Sequence, residues 1–383
     1  MYSLLLCIIY ISFISLGLPD SLLGAGWPVM QPALGVPMSY AGIISMIIAG
    51  GTIVSSLLSD RLTRKLGAGL VTAGSVFLTA AALWGFSFSD SFVLLCLWAV
   101  PYGLGAGAVD AALNNYAALY FSGKHMSWLH CFWGVGASIS PYIMSFCLTG
   151  GPGWQSGYRT VGMIQIVLTA VLFFSLPLWK KQAEDRAADT VVPAKLTLLE
   201  AIHLNGVKCI LITFFGYCAL ESTAGLWASS YLAAYRGVDA SVAARFASLF
   251  FLGITLGRFL CGFITEALGD RKMIRYGLIL VLLGILLVFM PQNALALAGI
   301  LIIGLGCAPI YPSIIHSTPD NFGAENAQAI VGIQMASAYV GSTFMPPVFG
   351  LLAQHISVGL YPLYLLLFAV LMLFMSEKLN KIV

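Results

Sequence analysis

Charge is what this sequence has least of. Of its 383 residues only 9% are Asp, Glu, Lys or Arg, while 60% are hydrophobic. Soluble domains carry about 25% charged residues, so this chain has too few to cover a globule in water. The mean hydropathy of +0.94 agrees. The net charge is only +3, and no basic cluster forms the face that nucleic acid requires. A redox framework is missing too: the eight cysteines fall in apolar runs without CxxC spacing and read as small buried hydrophobes. There is no HExxH, GxSxG or phosphate-binding GxxxxGK[ST], which excludes the common hydrolase and nucleotide-motor chemistries, so ATP-driven transport would need a partner chain. Gly103, Gly105 and Gly107 sit inside an apolar run with no strand before them, where small residues serve close helix packing. No N-x-[ST] sequon occurs.

What the sequence has in quantity is apolar runs. A membrane-spanning helix needs about 20 such residues. Charge, Pro and Gly divide the chain into twelve stretches of this kind, at 2–33, 38–59, 68–87, 91–120, 127–150, 159–179, 207–234, 241–266, 273–290, 294–316, 326–353 and 358–376. The first run has no Lys or Arg before it and continues beyond the length of a signal-peptide core, so it reads as the first span. The one long polar segment, from Lys180 to Glu200, separates the sixth run from the seventh.

The two sides of that segment repeat. Ile11-Ser12-Phe13, Asp20-Ser21 and Gly24 match Ile212-Thr213-Phe214, Glu221-Ser222 and Gly225 at an offset of 201. Gly103-Leu104-Gly105 matches Gly304-Leu305-Gly306 at the same offset, and Val135-Gly136 with Pro141 matches Val340-Gly341 with Pro346 at 205. Asp60 matches Glu266 at 206. The expected fold is an all-α integral membrane protein of twelve transmembrane helices in two pseudo-symmetric six-helix bundles, 1–180 and 201–383, joined by a cytoplasmic linker, 181–200. Parallel repeats of this kind mark a transporter architecture with its site between the halves, near the membrane midplane.

Orientation follows from Lys and Arg, which favour cytoplasmic loops. With a cytoplasmic amino terminus, fourteen of the eighteen fall on the inner side, three (Arg159, Arg236, Arg245) on the outer, and Arg258 within a span. Both termini are therefore expected inside a plasma (cytoplasmic) membrane.

Three carboxyls lie deep in the apolar runs. Asp110 is close to the midpoint, 107, between Asp90 and Lys124; Glu221 is close to the midpoint, 222, between Lys208 and Arg236; Asp20 is central in the first run. A charged carboxylate at the bilayer centre costs about 2.5–3.5 kcal/mol or more. Each must therefore face a cavity, carry a partner or take a proton, and desolvation favours the neutral acid. Arg258 is the one cation within the spans able to partner them, and one cation cannot neutralise three acids. Asp20, Asp110 and Glu221 are thus candidate proton-coupling groups. Glu221 can instead pair with Arg258 or accept a substrate hydroxyl.

The loop after the second span, Ser59-Asp60-Arg61-Leu62-Thr63-Arg64-Lys65, resembles the G-x-x-x-D-R-x-G-R-R/K motif of the major facilitator superfamily, with Ser56 and Thr63 where the motif has glycine. Its echo runs from Gly262 through Glu266 to Gly269-Asp270-Arg271 and keeps both glycines. The resemblance covers the whole chain. It implies a cytoplasmic gate built from Asp60, Arg61, Arg64, Lys65, Glu266 and Arg271, although a topology anchor also explains the basic residues. Within the superfamily the chain is similar to the fucose–proton symporter group. Gly17-Leu18-Pro19-Asp20 resembles that group's N-L-N-D, Asp110-Ala111-Ala112-Leu113-Asn114 its E-T-A-A-N, and Glu221-Ser222-Thr223-Ala224 its Q-T-A; Gly257-Arg258-Phe259 and Tyr311-Pro312 recur there as well. The group's first-helix asparagines are absent, and His130 and Trp133 stand where it has Gln and Asn.

Candidate substrate contacts at comparable depth are Asn114 (one helical turn from Asp110), Asn115, His130, Trp133, Trp227, Tyr311 and Gln334. Amides beside aromatic planes suit an uncharged, polyhydroxylated ligand. The same aromatics also serve as packing or interfacial anchors. The expected function is secondary active transport, a proton and a small neutral sugar-like solute moving together by alternating access in a monomer within the lipid bilayer, with no cofactor beyond the proton. The alternatives are a proton-coupled exporter of lipophilic compounds and a non-transporting membrane sensor.

Overall fold

The computed structural model describes residues 2–120, 123–151, 153–184, 200 and 202–383. The linker at 185–199 and the side chains of Asp60, Arg61, Arg64, Asn115 and Glu266 lie outside what is described, and so do the expectations that rest on them.

The described residues form helices and no strands. Ten helical runs are long and apolar enough to cross a membrane. One of them, Ile330–Asn380, contains two helices, and Tyr40–Leu66 carries a shorter apolar run. Counting that run as two and adding Tyr40–Leu66 gives twelve spans, as expected. Large apolar side chains on their outward faces are bare, Phe174 at 87% and Phe146 at 79% exposed, a surface that lipid must cover.

The first span is two helices, α1 (Tyr2–Asp20) and α2 (Leu22–Leu34). The second to sixth are α3 (Tyr40–Leu66), α4 (Ala68–Phe88), α5 (Phe92–Tyr120), α6 (Gly123–Thr149) and α7 (Trp154–Glu184). The seventh, α8 (Val207–Ser230), ends in a π turn at Tyr231–Tyr235. Then follow α9 (Ala240–Leu268), α10 (Asp270–Phe289), a tenth span broken into α11 (Asn293–Cys307) and α12 (Ile310–His316), the short α13 (Thr318–Phe322), α14 (Ala324–Leu352) and α15 (Tyr361–Asn380).

Packing repeats between the halves. Helix α6 lies on α1, as α14 lies on α8; α5 packs on α3 and α4, as α11 packs on α9 and α10. Atomic contacts follow the same shift. A Cβ on Gly136 would strike the Ile14 carbonyl and approach Leu18, and one on Gly341 would strike Phe215 and approach Ala219. A Cβ on Gly105 would lie 2.7 Å from the Ser75 carbonyl, and one on Gly306 2.5 Å from that of Gly277. The small residues of the sequence repeat are thus the points where backbones touch. Between halves, α6 meets α9, α3 meets α14 and α2 meets α8. Gly24 abuts the carbonyl of its equivalent, Gly225, where α2 crosses α8.

Two breaks in regularity have local causes. Pro19 has no N–H for the carbonyl of Ser15 one turn back. Gln165 of α7 supplies the missing donor, its Nε2 reaching Ser15 O at 2.6 Å. Ser21, at the joint between α1 and α2, donates to Ala137 O at 2.7 Å, the carbonyl that Pro141 leaves free by the same rule. The first span therefore bends at Asp20 and Ser21 with its loose backbone groups satisfied. The second break corrects the loop register. Asp60 and Glu266 match at an offset of 206, but the turns after α3 and α9 match at 202, on Gly67 (φ 83°, ψ 151°) and Gly269 (φ 75°, ψ 157°). Where the motif has glycine, residue 63 is Thr, a β-branched residue poorly suited to positive φ. Helix α3 runs one further turn until a glycine allows the chain to reverse.

Candidate functional site

The bend in the first span presents Asp20 between the halves. The Asp20 carboxylate accepts the indole N–H of Trp133 on α6 at 2.8 Å and the Tyr102 hydroxyl of α5 at 3.4 Å. It is nevertheless exposed, so water reaches a mid-depth acid that protein elements surround. Asp110 on α5 accepts Asn114 Nδ2 at 2.8 Å, the contact that their i, i+4 spacing implies. The Asn114 Oδ1 is buried without a hydrogen bond. Glu221 on α8 lies 3.8 Å from the Arg258 guanidinium of α9, both side chains mostly covered at 19% and 12% exposure. Asp110 and Glu221 both lie within electrostatic reach of Asp20. Among the described residues, Asp20, Trp133, Arg258 and Glu221 therefore form one chain of contacts across both halves, with Asp110 near Asp20.

Aromatic rings close the cluster. Arg258 Cζ sits 5.3 Å over the Trp133 ring, and an Arg258 nitrogen donates to His130 O at 3.3 Å. Tyr311 stacks obliquely against His130, Phe214 and Tyr217, with centroids 6.5, 5.0 and 6.1 Å away. The fully buried Tyr217 phenol has Glu221 and Arg258 as polar neighbours. Of the sequence-derived candidates, Asp20, Asp110, Glu221, Asn114, His130, Trp133 and Tyr311 come together.

Two candidates do not. Trp227 is completely buried, with its indole N–H donated to Pro346 O at 2.9 Å. Gln334 is also completely buried, its amide bonded to the Thr318 hydroxyl at 3.0 Å. Their polar atoms are engaged in helix packing, which corrects their assignment as ligand contacts. Among the expected gate residues, Lys65 is exposed and Arg271 reaches Asn321 Oδ1 at 3.4 Å.

The major facilitator superfamily model matches residues 9–247 and 209–376. The chain belongs to the major facilitator superfamily. Among the relatives of this facilitator is the cis,cis-muconate transport protein of Acinetobacter baylyi, 23% identical over 84% of this chain and 80% of that one. Bypass of stop codon protein 6 of Saccharomyces cerevisiae is 22% identical over 68% of this chain, which spans only 57% of that protein's length. A crystal structure of a point mutant of the nucleoside transporter NupG superposes with a TM-score of 0.75 over 98% of both chains at 14% identity. This facilitator is accordingly a multi-pass membrane transporter, not an enzyme. Its relatives' names range from a carboxylate to a nucleoside, so the family leaves the solute open.

Some members of the facilitator's site were not singled out in sequence. Tyr217 lies four residues before Glu221 and Tyr102 eight before Asp110, spacings that put each on the acid's helical face. That periodicity was the available signal. Phe251, edge-on to Trp133 at 6.3 Å, gave none, because a Phe in an apolar run is indistinguishable from packing.

Proposed function

We propose that this facilitator is a secondary active transporter carrying a small neutral, polyhydroxylated solute together with a proton, by alternating access of two six-helix bundles, 1–180 and 201–383. The observation that carries the reading is Asp20: an exposed carboxyl in an apolar span, held by N–H and O–H donors and, among the described residues, not by a cation. A group so placed can exchange a proton with whichever side the cavity faces. Glu221 has Arg258 beside it, which suits a fixed ion pair better than a carrier of protons. Asp110, with an amide for its partner, is the second proton-coupling candidate.

Charge bears on the solute. Three acids around one guanidinium disfavour a dianion such as muconate. Asn114, the Tyr217 and Tyr102 hydroxyls and the Trp133 plane supply the mixture of hydrogen-bonding groups and flat apolar surface that a sugar ring uses. The proximity of His130 and Tyr311 fits the same chemistry. The resemblance of Asp20 and Asp110 to the acids of the fucose–proton symporter group supports proton coupling, and with it a cytoplasmic membrane, termini inside and a monomeric carrier. The gate role of the loops after α3 and α9 belongs to the same proposal.

The acid surplus also favours a second reading, a proton-coupled exporter of lipophilic cations, with the rings acting as cation–π partners. Proteoliposomes offered a panel of radiolabelled sugars and lipophilic cations, with and without an inward proton gradient, separate the two. Sugar accumulation that requires the gradient is expected. Cation movement against the proton, with no sugar accumulated, would select the exporter, and indifference of every solute to the gradient would refute both.

A further inference from the structure

Trp133 touches both halves of the charge cluster. Its indole N–H donates to Asp20 Oδ2 at 2.8 Å, and Arg258 lies over its ring at 5.3 Å. Arg258 in turn reaches Glu221 at 3.8 Å. One side chain of α6 thus connects the carboxylate of the first span to the ion pair formed by α8 and α9. The backbone around it is fixed. A Cβ on Gly17 would strike the Trp133 carbonyl, and one on Gly134 would strike the Thr255 side chain. Cys131 Sγ approaches Thr255 O at 3.7 Å. With the helix backbone pinned on both sides, any response at Trp133 falls on its partly buried side chain, which also packs edge-on to Phe251.

The two contacts of the indole depend on charge in different ways. An N–H bond to a carboxylate is roughly twice as strong as one to a neutral acceptor. A proton on Asp20 therefore loosens the indole, and an indole that turns withdraws its face from Arg258. What then holds Arg258 is Glu221 of α8 and the His130 carbonyl of α6, so the guanidinium shifts off the indole toward those two groups, and α6 keeps one contact to Arg258 where it had two. We propose that Trp133 is a positioning residue that transmits the protonation state of Asp20 to Arg258, and through it to the fit of α6 on α9. The inference rests on the proton-coupled reading above.

Several groups around the pair can titrate, so a pH response must be assigned by substitution. Asp20 faces Asp110 and Tyr102 of α5 and Glu221 of α8, with Tyr158 of α7 behind Tyr102. Arg258 faces His130 of α6, Tyr217 of α8 and Tyr311 of α12.

The test uses the full-length protein in detergent, labelled with 5-fluorotryptophan and followed by fluorine NMR. The Trp133 signal is the one missing from Trp133→Phe. It is expected to shift with pH, to stop shifting in Asp20→Asn, and to change its midpoint in Arg258→Gln. The other seven of the eight tryptophan signals report that each variant is folded. A Trp133 signal indifferent to pH, one that titrates unchanged in Asp20→Asn, or a midpoint unmoved by Arg258→Gln would overturn the proposal. In proteoliposomes Trp133→Phe keeps a ring for Arg258 and loses the donor. Its gradient-driven accumulation, taken relative to its own counterflow, should fall by tenfold or more; a wild-type ratio also overturns the proposal. If the wild type accumulates no sugar, the solute assignment fails, while the fluorine titration still decides the role of Trp133.

Discussion

Breaking the Arg258–Glu221 pair one side at a time gives a quantitative check on the cluster. At 3.8 Å separation, two unit charges attract by about 4 kcal/mol at an effective dielectric constant of 20. Desolvation of both groups offsets much of that, so the pair adds little compared with apolar residues of similar size. Removing one partner is different, because a covered charge is left alone, at a cost of about 3–5 kcal/mol where burial is complete. At 12% and 19% exposure, the lower end applies. Arg258→Gln should cost about 3 kcal/mol and lower the melting temperature in detergent by roughly 5 °C. Glu221→Gln should cost about 2 kcal/mol, since Arg258 keeps its carbonyl and ring contacts. The double variant should be no less stable than Arg258→Gln, giving a coupling of at least about 2 kcal/mol in a thermal double-mutant cycle. Additive losses in the double variant would mean that the two charges do not sense each other, and the cluster as described would be wrong.

Other consequences can be checked separately. Gly24→Val places a Cβ 2.7 Å from Gly225 O and 2.8 Å from Leu226 O, so α2 and α8 must part; a Gln31→Cys reporter on the same rim should react faster with an impermeant maleimide, and an unchanged rate would refute the seam. Gln165→Leu strands the Ser15 carbonyl and hydroxyl, which Gln165 now bonds at 2.6 and 2.5 Å. It should destabilise by about 1–3 kcal/mol, whereas an unchanged melting temperature would remove Gln165 from the support of the bend. Asp239 caps α9, and hydrogen bonds from the Ser241 hydroxyl and the Val242 and Ser241 amides hold its carboxyl below the usual value of 3.8. With the folded value depressed, the cap contributes fully above 3.8 and is lost as the pH falls through the folded value. Asp239→Asn keeps an accepting cap and should flatten that acid-side loss in a melting-temperature series; an unchanged acid limb would refute the assignment.

Much of the fold was legible because hydrocarbon imposes a length. Twelve apolar runs of the required size could hardly form anything else; flanking charges indicated the depth of Asp110 and Glu221, and the first run's own centre that of Asp20. Asn114 was legible from its spacing to Asp110. The bend at Ser21 was harder to see: Pro19 announces a defect, but the donor that satisfies the Ser15 carbonyl, Gln165, is 150 residues from Ser15. The longer α3 was hidden because a motif match at Asp60 says nothing of which glycine will reverse the chain. Trp227 and Gln334 had the right depth and chemistry for a pocket, yet their partners, Pro346 and Thr318, turn them inward. Depth can be counted along a sequence, whereas the direction a side chain takes depends on partners from distant segments.

Proton movement that accompanies solute entry tests the central claim most directly. Proteoliposomes loaded with a pH-sensitive dye, given an accumulated sugar at zero membrane potential and no initial pH gradient, should acidify inside as the sugar enters, and Asp20→Asn should abolish that signal while retaining sugar exchange. Sugar entry without acidification in the wild type, or acidification that persists in Asp20→Asn, would contradict the account.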